Sequence, residues 1–281
     1  MNNNSLFYES LNRGIYGGSV GSIASVGQVC SLMWLRTTMN YQYRHGTTFK
    51  STLQILYRDG GVKRFYRGLP VALIQAPLSR FGDTAMNTGV LHYLNNNDST
   101  KDLNLVYKTF ISSLFSGVWR VNLMPIDTLK SSLQVNGKDG INILKNKVKK
   151  NGFRVMYNGS LGAYSASLLG HFPWFYTHNY LSSILPVTIY DSKFEKYSKY
   201  AFIGFSSSFV SDIASNFARV LKVFKQTNSE KISYKNAIKE IVEKDGISGF
   251  FTRGLKTKIL SNGIQSVIFT IIWKTFLEVK N

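Results

Sequence analysis

The residues of this sequence best placed to do chemistry are charges set inside otherwise apolar stretches: Arg80 and Asp83, Arg120, and Asp212. Gln75 lies close before Arg80, and His171 sits in the aromatic run that includes Phe172, Trp174, Phe175 and Tyr176. An ionisable group facing lipid costs several kcal/mol, so such residues face a partner or a water-filled cavity and mark where an ion or solute is held. Other uses of the same residues stay open. Arg120 and Asp212 can form a structural ion pair, Arg80 and Asp83 can pair along one helix at i and i+3, and His171 can be packed core. The aromatic run can equally be packing at a lipid interface. The cations favour an anionic solute such as a carboxylate or nucleotide, while the two aspartates admit an amino acid or other zwitterion.

Catalysis finds little support in the same inventory. His45, His92, His171 and His178 show no metal-ligand spacing, and neither a Walker loop, an EF-hand loop nor a supported Ser, His and acid set occurs. Cys30 is the single cysteine, so the chain can form no internal disulfide or cysteine zinc site. The chain is expected not to be an enzyme and to use no cofactor. With 34 Lys and Arg against 15 Asp and Glu, it carries a formal charge of +19. That excess suits nucleic-acid binders, membrane-surface proteins and organelle membrane proteins alike. Charged residues make up only 17%, below the roughly 25% of soluble domains, which leans towards a membrane. A mean hydropathy of -0.08 is low for lipid-facing helices. The polar start carries no secretory or transit pattern, so any organelle address is expected to be internal.

The elements that must position these charges follow an internal repeat. The segments 58–68 (RDGGVKRFYRG), 150–159 (KNGFRVMYNG) and 244–254 (KDGISGFFTRG) each run from a basic, Gly-containing turn through aromatic residues to a closing glycine. Gly68, Gly159 and Gly254 are separated by about 91 and 95 residues, and Arg36, Lys130 and Lys222 fall in register with them. Three repeats are drawn, 1–103, 104–196 and 197–281. Long apolar segments lie at 14–39, 69–94, 105–134, 160–184, 200–226 and 255–277, each long enough to cross a bilayer, which takes about 20 helical residues. Polar residues recur on one face of each, as a helix lining a cavity requires, and this accounts for the low hydropathy. Between the paired segments, 47–58, 140–150 and 233–244 show apolar residues at helical spacing and read as short helices on the membrane surface. The basic residues concentrate in these connections, most densely at Lys145, Lys147, Lys149, Lys150 and Arg154, where they would meet anionic lipid. Nucleic acid is therefore not an expected partner.

These residues carry a resemblance. Pro125, Asp127 and Lys130, with Gln134 four beyond, match in full the signature that ends the odd-numbered helices of the mitochondrial carrier family. Tyr66-Arg67-Gly68 and Asp245-Gly246 match its later elements, and the likeness runs over essentially the whole chain. The resemblance implies an all-α membrane protein of six transmembrane helices, in three tandem helix–short helix–helix repeats with pseudo-three-fold symmetry around a central cavity. It further implies both termini in the intermembrane space, short helices in the matrix, and solute exchange across the mitochondrial inner membrane by alternating access, the protein acting as a monomer. Counted from the closing glycines, the cavity face carries Gln75, Arg80, Asp83, Ala166, His171, Trp174, Ser261, Asn262 and Ser266, with Val26, Arg120 and Asp212 on the odd helices.

The family closes its matrix side with three ion pairs, and here the positions depart from it. Ser31, Met33 and Arg36 stand in the first copy and Phe217, Arg219 and Lys222 in the third. Only Asp127 with Lys222 is expected to survive, with Arg36 confronting Arg219, Met33 confronting Lys130, and Gln134 and Gln226 beside them. The opposite gate holds Thr88, Asn179 and Lys274. The turns at Gly61, Gly152 and Gly246, with the helix starts after Gly68, Gly159 and Gly254, are expected to offer backbone N–H groups to cardiolipin or another anionic lipid. The weakened gates leave a second reading, a carrier-fold adaptor or insertion factor that no longer transports.

Overall fold

A computed structural model describes residues 3–186 and 191–265, which form helices and connecting turns and contain no strand. In chain order the helices are α1 (Asn3–His45), α2 (Phe49–Phe65), α3 (Leu69–Asn96), α4 (Leu105–Asn122), α5 (Met124–Asn136), α6 (Gly140–Asn151), α7 (Ser160–Ile184), α8 (Lys193–Thr227), α9 (Tyr234–Asp245) and α10 (Gly249–Thr252). A last helix, α11, is described over 255–265. Ser266, Lys274, the side chain of Asn179 and the remainder of the expected last segment lie outside the described residues.

Local chemistry accounts for most boundaries. Thr48, Asn104 and Ser233 cap α2, α4 and α9 by accepting a hydrogen bond from a backbone N–H of the first turn. Ser192 and Glu195 cap α8 reciprocally. Gly61, Gly152 and Gly246 break the chain after α2's first part, α6 and α9 with similar left-handed φ values, and Gly68, Gly159 and Gly254 do so again just before α3, α7 and α11. The expected segment 105–134 is two helices, because Pro125 has no N–H to continue the ladder and the chain breaks at Leu123. At the aligned positions α1 carries Ser31 and α8 carries Phe217, and both run through unbroken. They also extend well past the segments read from hydropathy. The expected helix at 47–58 continues to Phe65, with non-helical backbone at Gly60 and Gly61.

Among the described residues no helix is long and apolar enough to cross a membrane. The reason lies in how polar residues are distributed. On α8, Ser207, Ser211, Asp212, Ser215 and Asn216 are buried while Phe202, Phe205, Phe209, Val210 and Ile213 are exposed. On α4, Thr109, Ser112, Ser113 and Ser116 are buried while Phe110, Phe115 and Val118 are exposed. Polar inside and apolar outside reverses the usual arrangement of a surface helix.

The closing glycines set how tightly the elements approach. A Cβ on Gly254 would lie 2.6 Å from the Tyr43 ring of α1, and one on Gly159 would lie 2.9 Å from the Lys222 carbonyl of α8. Both also have φ values that only glycine adopts cheaply. In this structure the glycines serve helix approach. The Leu69 N–H, expected to face a lipid phosphate, donates to the Tyr66 carbonyl at 3.0 Å.

Candidate functional site

The helices enclose a cavity of about 590 Å³. Gln75, Arg80, Asp83, Arg120, His171 and Asp212 all line it, as do Arg36, Asp127, Lys130, Gln134, Arg219 and Lys222 of the expected gate. Ala166, Trp174, Ser261 and Asn262 line it too, whereas Val26 is exposed and lies outside the lining. The aromatic run of α7 divides accordingly. His171, Trp174 and Phe175 face the cavity, and Phe172 and Tyr176 are exposed.

The floor of the cavity is organised by one carboxylate. Asp127 Oδ1 accepts from Lys130 Nζ at 2.8 Å, and Oδ2 accepts from Lys222 Nζ at 2.6 Å and from Gln226 Nε2 at 2.9 Å. Lys130 also donates to Gln75 Oε1 of α3 at 2.9 Å. Gln134 and Gln226 are each 1% exposed. Gln134 accepts from Asn40 of α1 and places its amide 3.5 Å from Met33 Sδ. Asp127 and Lys222 therefore meet, but Asp127 is shared between two lysines. Met33 meets Gln134, while Lys130 turns to Asp127 and Gln75.

The remaining carboxylates take partners other than those left open in the sequence. Asp83 binds Arg120 of α4 through both oxygens, the stronger bidentate form of an ion pair. Arg80 is not its partner, although it lies on the same helix. Asp212 pairs with Arg219 of its own helix at 2.6 Å and accepts from Asn262 of α11. Arg120 and Asp212 thus do not pair with each other. Arg219 turns along α8 to Asp212.

Three buried cations point inward, among them Lys147, which was expected to meet anionic lipid. Arg64, 1% exposed, donates to the carbonyls of Gln134 and Val135 at the end of α5, both at 2.8 Å. Lys147, 3% exposed, donates to the carbonyls of Gln226 and Asn228 at the end of α8, at 3.2 and 2.8 Å. Arg253, 3% exposed, reaches the carbonyls of Tyr43 and Arg44 at the end of α1, both at 3.4 Å. Each satisfies carbonyls left over at a helix C-terminus, where the helix dipole also favours a cation. Arg64 and Arg253 carry a neighbouring carboxylate, Asp59 and Asp245. Lys147 has none among the described residues, and burial pushes its ammonium down to about 8. The cue available in sequence was position: all three lie in or beside the basic Gly turns. Charge alone did not distinguish them from exposed Lys145, Lys149 and Lys150.

No protein-family model matches the chain. Over 131 residues it is 31% identical to the calcium-binding mitochondrial carrier SAL1 of Saccharomyces cerevisiae, a match covering 42% of this chain and 23% of that protein. The likeness supports a relationship to the mitochondrial carriers at the level of the family.

Proposed function

We propose that this chain is a solute carrier of the mitochondrial type, built of three repeats with six membrane-crossing helices, that moves a small metabolite across the inner membrane by alternating access. The observation that carries this reading is the inversion of polarity on α4 and α8. Apolar side chains face out and serine, threonine and charge face a cavity of about 590 Å³, a size suited to a small molecule. Lipid would cover the outer faces, and water and solute would fill the inner one. Helices of this kind have a low mean hydropathy because one face is not meant for lipid. In this reading the meeting of Asp127 with Lys222 belongs to the state closed on the matrix side. The protein acts as a monomer that catalyses no reaction, and cardiolipin or another anionic lipid is its partner at the matrix surface.

The solute is a nucleotide, carboxylate or amino acid by class. Uptake by the purified full chain in liposomes against a panel of these three classes tests the reading. Saturable uptake of one class supports it, and none above empty liposomes overturns it. One observation favours a second reading, a carrier-fold adaptor or insertion factor without transport. The matrix gate carries Met33 and Arg219 where the family has acids, so of the three ion pairs expected there only the one between Asp127 and Lys222 can form.

A further inference from the structure

Seven Lys or Arg side chains of the described residues line the cavity against three carboxylates. The distribution of partners matters more than the excess. Every carboxylate oxygen is already engaged by a protein donor: both of Asp83 by Arg120, those of Asp127 by Lys130 on one side and Lys222 with Gln226 on the other, and those of Asp212 by Arg219 and Asn262. Three cations are left over. No carboxylate of the described residues lies within ion-pair distance of Arg36, Arg80 or Lys258, and the side-chain bond of Lys258 among those residues is a long one, 3.4 Å to Asn262 Oδ1. They come from three different helices, α1, α3 and α11, and lie within electrostatic reach of one another.

We infer that the cavity takes a solute bearing two or more negative charges, a polycarboxylate or a phosphate ester, held by Arg36, Arg80 and Lys258. The inference rests on the carrier reading for the site's use and goes beyond it by naming the charge of the occupant. A positively charged amine, as in a zwitterionic amino acid, would find no disengaged carboxylate to receive it. A polyanion would offset cations that otherwise repel one another in a partly desolvated space. Arg36 is the gate base whose family partner is absent, so the solute itself supplies the missing counter-charge and is drawn towards the floor of the cavity.

The experiment measures binding to the purified full chain in detergent, read as the shift in thermal unfolding midpoint at matched ionic strength. The probes are acetate, succinate, citrate, inorganic phosphate, adenosine monophosphate and alanine. Affinity is expected to rise with charge from acetate through succinate to citrate, with phosphate and adenosine monophosphate, both close to dianions, well above acetate and alanine inert. The carboxylate and phosphate arms identify which anion is preferred. Arg36→Gln, Arg80→Gln and Lys258→Gln should each weaken the preferred anion about tenfold, Arg80→Lys should restore part of the loss, and exposed Lys149→Gln should change nothing. A flat response to charge in the wild-type chain overturns the inference, and this reading needs no variant to fold. Tenfold losses absent from all three variants also overturn it. Polyanion binding without uptake in liposomes supports this inference while sinking transport, whereas uptake of alanine without charge-dependent binding retains the carrier and sinks the inference.

Discussion

Asp127 of α5 holds Lys222 of α8 at 2.6 Å while accepting Lys130 of its own helix at 2.8 Å, so a single carboxylate ties two helices together at the floor of the cavity. Asp127 is nearly buried and Lys222 is partly so. Removing the carboxylate leaves two ammonium groups facing each other.

Asp127→Asn is therefore expected to destabilise the chain by about 3–5 kcal/mol, the range for breaking a buried pair. Lys222→Gln should cost less, because Lys130 remains to neutralise Asp127. Thermal unfolding of the two variants in detergent checks the order. Equal losses would show that Lys130 does not compensate.

Asp83 and Arg120 join α3 to α4 through two hydrogen bonds. A double-mutant cycle with Asp83→Asn and Arg120→Gln should give a coupling of about 1–3 kcal/mol, as for directly bonded residues. The same cycle on Arg80 and Asp83, which interact through charge without a direct hydrogen bond, should give a smaller coupling. A larger coupling for the second pair would move the bridge back onto one helix.

The approach that permits this bridge depends on Gly82. A Cβ there would lie 1.8 Å from Trp119, whose indole N–H donates to the Leu78 carbonyl at 2.9 Å. Gly82→Ala should destabilise by about 1–3 kcal/mol through overpacking, despite the better helix propensity of alanine. Adding Trp119→Leu to the same chain should recover much of the loss. A neutral Gly82→Ala would mean that α3 and α4 are not held at this distance.

Lys147 supplies a pH dependence. Its ordinary value of 10.5 is lowered to about 8 in the fold by burial first and by the charge of Arg44 second. Between those pH values the unfolded chain binds more protons than the folded one, so this group makes stability rise with pH from about 8 to 10.5 and contributes no slope below 8. Lys147→Met removes that slope. The unfolding midpoint of the wild-type chain should gain on the variant as pH is raised from 8 to 10, and parallel curves would place Lys147 in solvent.

Much of the architecture was legible in the residues themselves, and the reason is that it depends on local chemistry. Apolar runs of helical length, Pro125 at a helix start, and glycines at 61, 68, 152, 159, 246 and 254 specify helices and turns through backbone sterics and a missing N–H, which need no distant partner. The charged residues facing the cavity were legible for a related reason: a charge inside an apolar helix has few places to go. Which charges meet was not legible. Asp212 could reach across the cavity or two turns along α8, where Arg219 sits seven residues on, and spacing permits both. Asp83 had Arg80 one turn away, yet tertiary packing against Gly82 brought Arg120 closer. The inward turn of Arg64, Lys147 and Arg253 was hidden for the same reason. A lysine beside a helix end becomes a cap only when another helix ends against it, and that meeting is made by the tertiary fold.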